Sequence, residues 1–457
     1  MSKKIILIIT SFSIAIIYFL INLTISNEKF RDIKNILSLE QKNLIKKYIF
    51  PYKQISLLEK KISDQQKKLR LYRPWVYKSE LYFKESLQDI EIQKKEDVKL
   101  SKKMIMSKYT ILDGFYTGLN KIKPGGYIDF HQNNILILSA RGILAFNDDI
   151  YNKLHFKQIK NNINDFISFE QFKRDFSKLT DLFIYENKIY IAYTDEIKKD
   201  CFNTSVIYGD MSYEEIKFEK YFAAEKCISS PPNAGYYFAA RSGGKVQNFD
   251  SNHILLSTGE YGERFLAQEK DNINGKIIKI SPNSSNFQIV SMGHRNPQGL
   301  FYDKDKNFIL QSEHGPYGGD EFNLIEIDKI NYDEPLNYGW AISSYGEHYD
   351  PKTKKNLEMY KKYPLHKSHK EHGFIEPLTY FSPAIAPSEI TKISNNKYVA
   401  CGMKAKSIFF FELNDRKEMI NISKVNVFER VRDIKFHNNK IYLFLEDTIS
   451  IGIIDLT

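Results

Sequence analysis

Asn438-Asn439-Lys440-Ile441-Tyr442-Leu443-Phe444 sets a short polar turn in front of a run of β-branched, aromatic and aliphatic residues. Such a turn suits a tight hairpin, and such a run suits a buried strand. The device recurs upstream at Asn133-Asn134 before Ile135-Leu136-Ile137-Leu138, and at Asn187-Lys188 before Ile189-Tyr190-Ile191. Further copies are Ser251-Asn252 before His253-Ile254-Leu255-Leu256, Lys306-Asn307 before Phe308-Ile309-Leu310, and Asn395-Asn396-Lys397 before Tyr398-Val399. Some 350 residues shared among these copies is about 59 each, room for four strands and an insertion. A pair of β-sandwiches would not need one hairpin device so many times. The spacing predicts an all-β fold, a six-bladed β-propeller over residues 106–457. The 30 Tyr and 32 Phe, against two Trp, agree with that, because aromatic rings suit a pleated, half-buried surface.

Upstream of that region the pattern changes. Residues Ile5–Ile25 carry no charge and follow Lys3-Lys4. A helix of that length spans about 31 Å, roughly one bilayer core, and the lysines hold its start in the cytoplasm. The run ends Asn22-Leu23-Thr24-Ile25 without a small-residue cleavage site, so an uncleaved anchor is expected over 1–26 rather than a removed signal peptide. Residues 27–105 are Lys-rich and broken by Pro51 and Pro74. Ile55, Leu58, Ile62, Leu69 and Tyr72 fall at three- and four-residue steps, as do Val76, Phe83, Leu87 and Ile90. This reads as a helical basic stem, a spacer that could also self-associate, with the propeller outside the cytoplasm.

The net charge of +10 comes from one place. Residues 1–105 hold 22 Lys+Arg against 11 Asp+Glu, and the remainder holds 44 against 45. The large domain is neutral, so no nucleic-acid partner is expected. Of three cysteines, Cys201 and Cys227 lie 26 apart, and an oxidising compartment permits a bridge between them. Cys401 sits in an apolar strand pattern as a buried thiol. No CxxC or HExxH spacing points to zinc.

The densest chemistry lies in Gly293-His294-Arg295-Asn296-Pro297-Gln298-Gly299-Leu300. It continues in Glu313-His314-Gly315-Pro316-Tyr317-Gly318-Gly319-Asp320-Glu321 and Asn337-Tyr338-Gly339-Trp340. Charges, histidines and glycines at strand ends suit a site for something anionic or metal-linked. These strings resemble the soluble quinoprotein glucose/sorbosone dehydrogenases, six-bladed propellers that oxidise aldoses with pyrroloquinoline quinone (PQQ) and calcium. The resemblance runs from about Gly235 to the C-terminus and includes Asn274-Gly275-Lys276 and Ser382-Pro383-Ala384-Ile385-Ala386-Pro387-Ser388.

That resemblance implies roles. Arg295 and Asn296 would face the quinone, with Arg295 stabilising the oxygen that gains charge on reduction. Lys404, Arg430 and Arg432 would contact PQQ, the two arginines gripping its carboxylates. The main-chain carbonyls of Gly315 and Pro316 would hold Ca²⁺. A planar tricarboxylate suits arginine forks on chemical grounds as well. One departure stands out. The family's general base is a histidine opening a His-x-Gly-Gly-Arg stretch, and here the stretch is Arg241-Ser242-Gly243-Gly244-Lys245. A guanidinium has no lone pair to accept a proton. His294, His314 and His253 are the candidates to replace it. The expectation is a membrane-anchored, PQQ-dependent aldose dehydrogenase-like propeller. The alternative is a catalytically impaired homologue that binds a ligand, a sugar or a protein.

Overall fold

The structure is a computed structural model. It describes residues 57–65, 89–95, 97–111, 125–139, 142–168, 171, 178–229, 239–349, 352–354 and 357–456. The chain divides into two compact units, Met1–Leu69 and Arg70–Thr457. In the first, residues 57–65 form a largely exposed helix that carries Leu58 and Ile62 of the apolar pattern. The expected anchor at Ile5–Ile25 lies outside the described residues. Among the described residues no helix is long and apolar enough to cross a membrane.

The second unit is all-β and propeller-type. Among the described residues it holds six antiparallel four-stranded meanders. Their innermost strands are Gly126–His131, Leu179–Tyr185, Gly243–Asn248, Pro297–Asp303, Pro387–Ser394 and Val431–His437. Each packs against the next, and the last packs against the first. Every copy of the polar turn read from the sequence is the hairpin between the first and second strands of one meander. Asn307, Asn438 and Asn439 adopt left-handed backbone there, which asparagine tolerates better than most residues.

The ring closes with a strand from the other end of the chain. Ile105–Ile111 pairs with Ser450–Asp455 as the outer strand of the last meander. Ile90–Lys94 then pairs with Ile105–Ile111 and with His155–Gln158, joining the first and last meanders. This corrects the expected helical stem over 27–105, because strand begins at Ile90. Ile90 and Ile92 are buried while Glu91 and Gln93 are exposed, a period of two that outweighs the helical spacing of Ile90 from Leu87.

Six apolar clusters fill the gaps between neighbouring meanders. Leu136, Leu138, Ile189, Ile191 and Ile207, for example, seal the first against the second. At the axis the inner strands are tied by carboxylates. Asp433 accepts from Ile128 N at 2.9 Å, Asp129 from Ile184 N at 2.7 Å and Asp181 from Val246 N at 2.8 Å, each reaching the adjoining meander. Lys245 Nζ sits among Asp181 at 2.8 Å, Glu389 at 2.5 Å and Asp433 at 3.4 Å.

A disulfide joins Cys201 and Cys227 with Cα atoms 5.3 Å apart. Cys401 is buried, and burial pushes its thiol up to about 12. Cys201→Ser should lower unfolding stability by about 3 kcal/mol, on the loop-entropy estimate. Denaturant titration of the oxidised protein and the variant checks this, and superimposed curves would refute it.

Candidate functional site

Antiparallel meanders place the start of each innermost strand and the turn between second and third strands on the same rim. Arg241 precedes Gly243–Asn248, Arg295 and Asn296 precede Pro297–Asp303, and Arg430 precedes Val431–His437, which contains Arg432. Gly315 and Pro316 lie between Phe308–Glu313 and Asp320–Glu326, and Lys404 lies between Lys397–Gly402 and Ser407–Leu413. Every residue singled out by the motifs therefore belongs to one rim.

Two carboxylates that the motifs do not contain organise it. Glu446, fully buried, receives Arg430 Nε at 3.0 Å and Arg432 Nε at 2.6 Å. Glu260, also fully buried, receives Arg241 Nη1 at 2.8 Å, and its Oε2 has no partner. A polar relay crosses between them. Arg432 Nη1 lies 3.4 Å from Gln298 Oε1, and Gln298 Nε2 donates to Asn296 Oδ1 at 3.2 Å. Asn296 Oδ1 also accepts from Gly243 N. Arg430 keeps a donor in reserve, since among the described residues its Nη2 meets only the soft Met403 Sδ at 3.5 Å. Lys404 is exposed on the same rim.

Arg295 is the most enclosed of these cations. Its guanidinium lies 5.3 Å from the Trp340 ring and 5.9 Å from the Tyr349 ring, and its buried Nε has no partner. Burial and then the neighbouring Arg241 bring its pKa down to about 10. Trp340 Nε1 is a second buried donor without a partner, and both residues line one small cavity with Ser343, Ser344 and His369. Unpaired buried donors are costly, so these suit an acceptor such as a ligand oxygen or an ordered water.

None of the candidate histidines takes the place of the missing base. His294 is fully buried, bonded to Glu313 Oε1 at 3.0 Å and Ser291 Oγ at 2.8 Å, and stacked on Tyr338. His253 pairs with Asp250 in a first hairpin, at the opposite rim. His314 is on the correct rim and donates Nε2–H to Pro387 O at 2.7 Å. Burial above all drives its pKa down to about 3, too weak a base for alcohol deprotonation near neutrality.

The two carbonyls that the resemblance assigns to calcium are engaged within the protein. Gly315 O accepts Arg295 Nη1 at 2.6 Å, and Pro316 O accepts the Tyr349 hydroxyl at 3.2 Å. Both carbonyls are taken, one of them by a cation. Among the described residues no group of three or more His, Cys, Asp or Glu side chains is placed to hold a metal. Adding a strong calcium chelator to the protein alone should leave the melting temperature unchanged. A fall of several degrees would show that the carbonyls do hold a cation.

The fold and the site define a propeller-type protein with a cationic, anion-seeking pocket on one rim. The family model described as glucose / sorbosone dehydrogenase matches residues 177–452, and the chain belongs to that family. It is similar to the aldose sugar dehydrogenase YliI of Escherichia coli (strain K12), 24% identical over 251 residues covering 52% of this chain and 61% of the relative. The chain spans about half the length of the curated relatives it matches. The crystal structure of the soluble aldose sugar dehydrogenase of Escherichia coli in the apo-form superposes with a TM-score of 0.57 at 19% identity, over 73% of this chain and 95% of that one. The PQQ-bound aldose sugar dehydrogenase of Streptomyces coelicolor superposes with a TM-score of 0.53 at 18% identity, over 74% and 95%.

Proposed function

We propose that this chain is an exported, membrane-anchored sugar oxidoreductase, its six-bladed propeller carrying a PQQ pocket on the rim described above. The observation that carries this reading is the cluster of cations on that rim. Arg241, Arg295, Lys404, Arg430 and Arg432 stand on that rim, where Glu260 and Glu446 pair with three of them and Glu313 and Glu321 line the cavity beside Arg295. A planar tricarboxylate is opposite in charge to such a cluster, and guanidinium forks match carboxylates in shape.

When bound, PQQ supplies the hydride acceptor for an aldose hydroxyl carbon. The chain's own part is to hold and polarise. Arg430 and Arg432, fixed by Glu446, grip carboxylates. Arg295, packed against Trp340, presents a cation to developing negative charge in a water-poor setting. Asn296, held by Gln298 and Gly243 N, keeps the edge of the pocket polar and rigid. Proton removal is where this rim is weak, because Arg241 replaces the histidine base. Slow turnover is the expected consequence.

The test is a titration of the purified protein with PQQ, followed by dye reduction with a panel of aldoses. Saturable binding with slow, aldose-dependent reduction supports the reading. Absence of binding would overturn it and favour a propeller that acts through protein contacts.

A further inference from the structure

We propose that Lys178 is a further ligand-binding residue of the rim pocket, supplying a cation that meets a carboxylate of a multiply charged anion opposite Arg430 and Arg432. The inference rests on the anionic-ligand reading above and adds a residue that no motif marks.

Lys178 immediately precedes the innermost strand Leu179–Tyr185 of the second meander, so it stands on the same rim as Arg241 and Arg295. Its own carbonyl accepts from Thr194 N, which fixes the backbone. Two residues on, Thr180 Oγ1 donates to Gly244 O, and Asp181 pairs with Lys245. The start of this strand is thus tied to the Arg241–Lys245 stretch. From there the half-buried amine is within electrostatic reach of Arg432, Glu446 and Arg430 of the sixth meander and Lys245 of the third. It makes no hydrogen bond or ion pair among the described residues. Both arginines share Glu446 as their partner, so that carboxylate is already committed. An ammonium in such company has three cations and one engaged carboxylate for neighbours, and it lacks only an anion.

The electrostatics give this placement a signature. Burial first, and then Arg432, bring the Lys178 pKa down to about 7. A polyanion in the pocket replaces repulsion with attraction and raises it again. Binding therefore takes up a proton wherever the free protein has lost it, which is above about pH 7. Affinity is complete below that pH and falls as pH rises, at most about tenfold per unit, until the bound-state pKa is passed. Lys276, also at about 7, and Asp320, at about 6, titrate on the same rim and are separated by the variants below. Arg295 titrates at about 10 and His314 at about 3. Glu389, at about 7, belongs to the axis and is separated by the variants below.

The experiment is isothermal titration of the full-length protein in detergent with PQQ, and separately with citrate as a second tricarboxylate. It is run between about pH 6 and about pH 9, in buffers of different ionisation enthalpy. The original protein should show proton uptake and weakening binding above about pH 7. Lys178→Gln should bind roughly tenfold more weakly at the acid end, with a flat pH profile. Lys178→Arg should retain tight binding and lose the pH dependence, because arginine does not titrate in this range. Identical affinities and slopes in all three proteins would overturn the proposal, as would binding without proton uptake. If citrate shows the Lys178 pattern and PQQ does not bind, this inference stands and the cofactor reading falls. If neither tricarboxylate binds the original protein, both fall.

Discussion

Replacing Lys245 with methionine should cost the fold about 3–5 kcal/mol, the penalty of leaving buried charge without its partner. Among the described residues Lys245 is the one cation within ion-pair distance of three fully or nearly fully buried carboxylates, Asp181, Glu389 and Asp433. Those carboxylates come from three different innermost strands, so the ammonium links the second, fifth and sixth meanders to its own third. Burial alone would strip its proton, but Asp181, then Asp433 and Glu389, hold its pKa well above the usual lysine value. Methionine keeps the length and loses the charge. Asp181 and Asp433 keep their hydrogen bonds to Val246 N and Ile128 N, so the acceptors remain satisfied while the electrostatics fail.

The pH dependence of that loss has a definite sign. Burial raises Glu389 to about 7 even beside Lys245. A carboxyl raised in this way favours folding when protonated. Its contribution is complete below the ordinary value of 4.5 and is lost as pH rises through about 7. Without Lys245 the group can still relieve the axis by taking up a proton in acid. Chemical denaturation of the Lys245→Met protein should therefore show a larger deficit at about pH 8 than at about pH 5. A deficit under about 1 kcal/mol at both would show the axis to be hydrated rather than closed.

The six hairpins were readable because each is local. A polar turn and the strand after it lie within a dozen residues, and burial of one side enforces the run of Ile, Leu and Phe. Closure was not readable. The pairing of Met106 with Ile454 spans nearly the whole second unit, and nothing in either strand names the other. The site divides the same way. Arg295, Asn296, Gly315 and Pro316 stand in contiguous motifs, and Arg430 and Arg432 flank Val431. Glu446 reaches those arginines from the turn after Lys440–Leu445, and Glu260 reaches Arg241 from the loop after Ile254–Thr258. Such partners are chosen through space. Lys178 is invisible for a related reason, since its neighbours come from other meanders and its own segment carries no motif.

Arg241→His should raise aldose-dependent dye reduction by about 10²–10⁴-fold, the usual range for a positioned general base. The prediction presumes the proposed reaction, and the structure supplies what a histidine would need. Glu260 lies fully buried beneath Arg241 with Oε1 on the guanidinium and Oε2 unpaired. Placed at 241, an imidazole can donate one N–H to that carboxylate. This fixes the tautomer and leaves the other nitrogen's lone pair for the substrate. Glu260 is itself anchored, since its backbone N–H donates to Arg295 O at 3.0 Å. The gain should come with a signature that a structural effect lacks, a rate rising with pH through about 6.5 as the new imidazole loses its proton. Arg241→Gln is the matched control: its amide can donate to Glu260 and cannot accept the hydroxyl proton. It should show neither the gain nor the new limb of the pH profile. The substitution also removes one of the rim's cations, so PQQ should bind the histidine variant more weakly even as it turns over faster. Equal gains from histidine and glutamine would mean that Arg241 merely obstructs the pocket. Rapid oxidation by the original protein, unchanged in both variants, would place the base elsewhere on the rim.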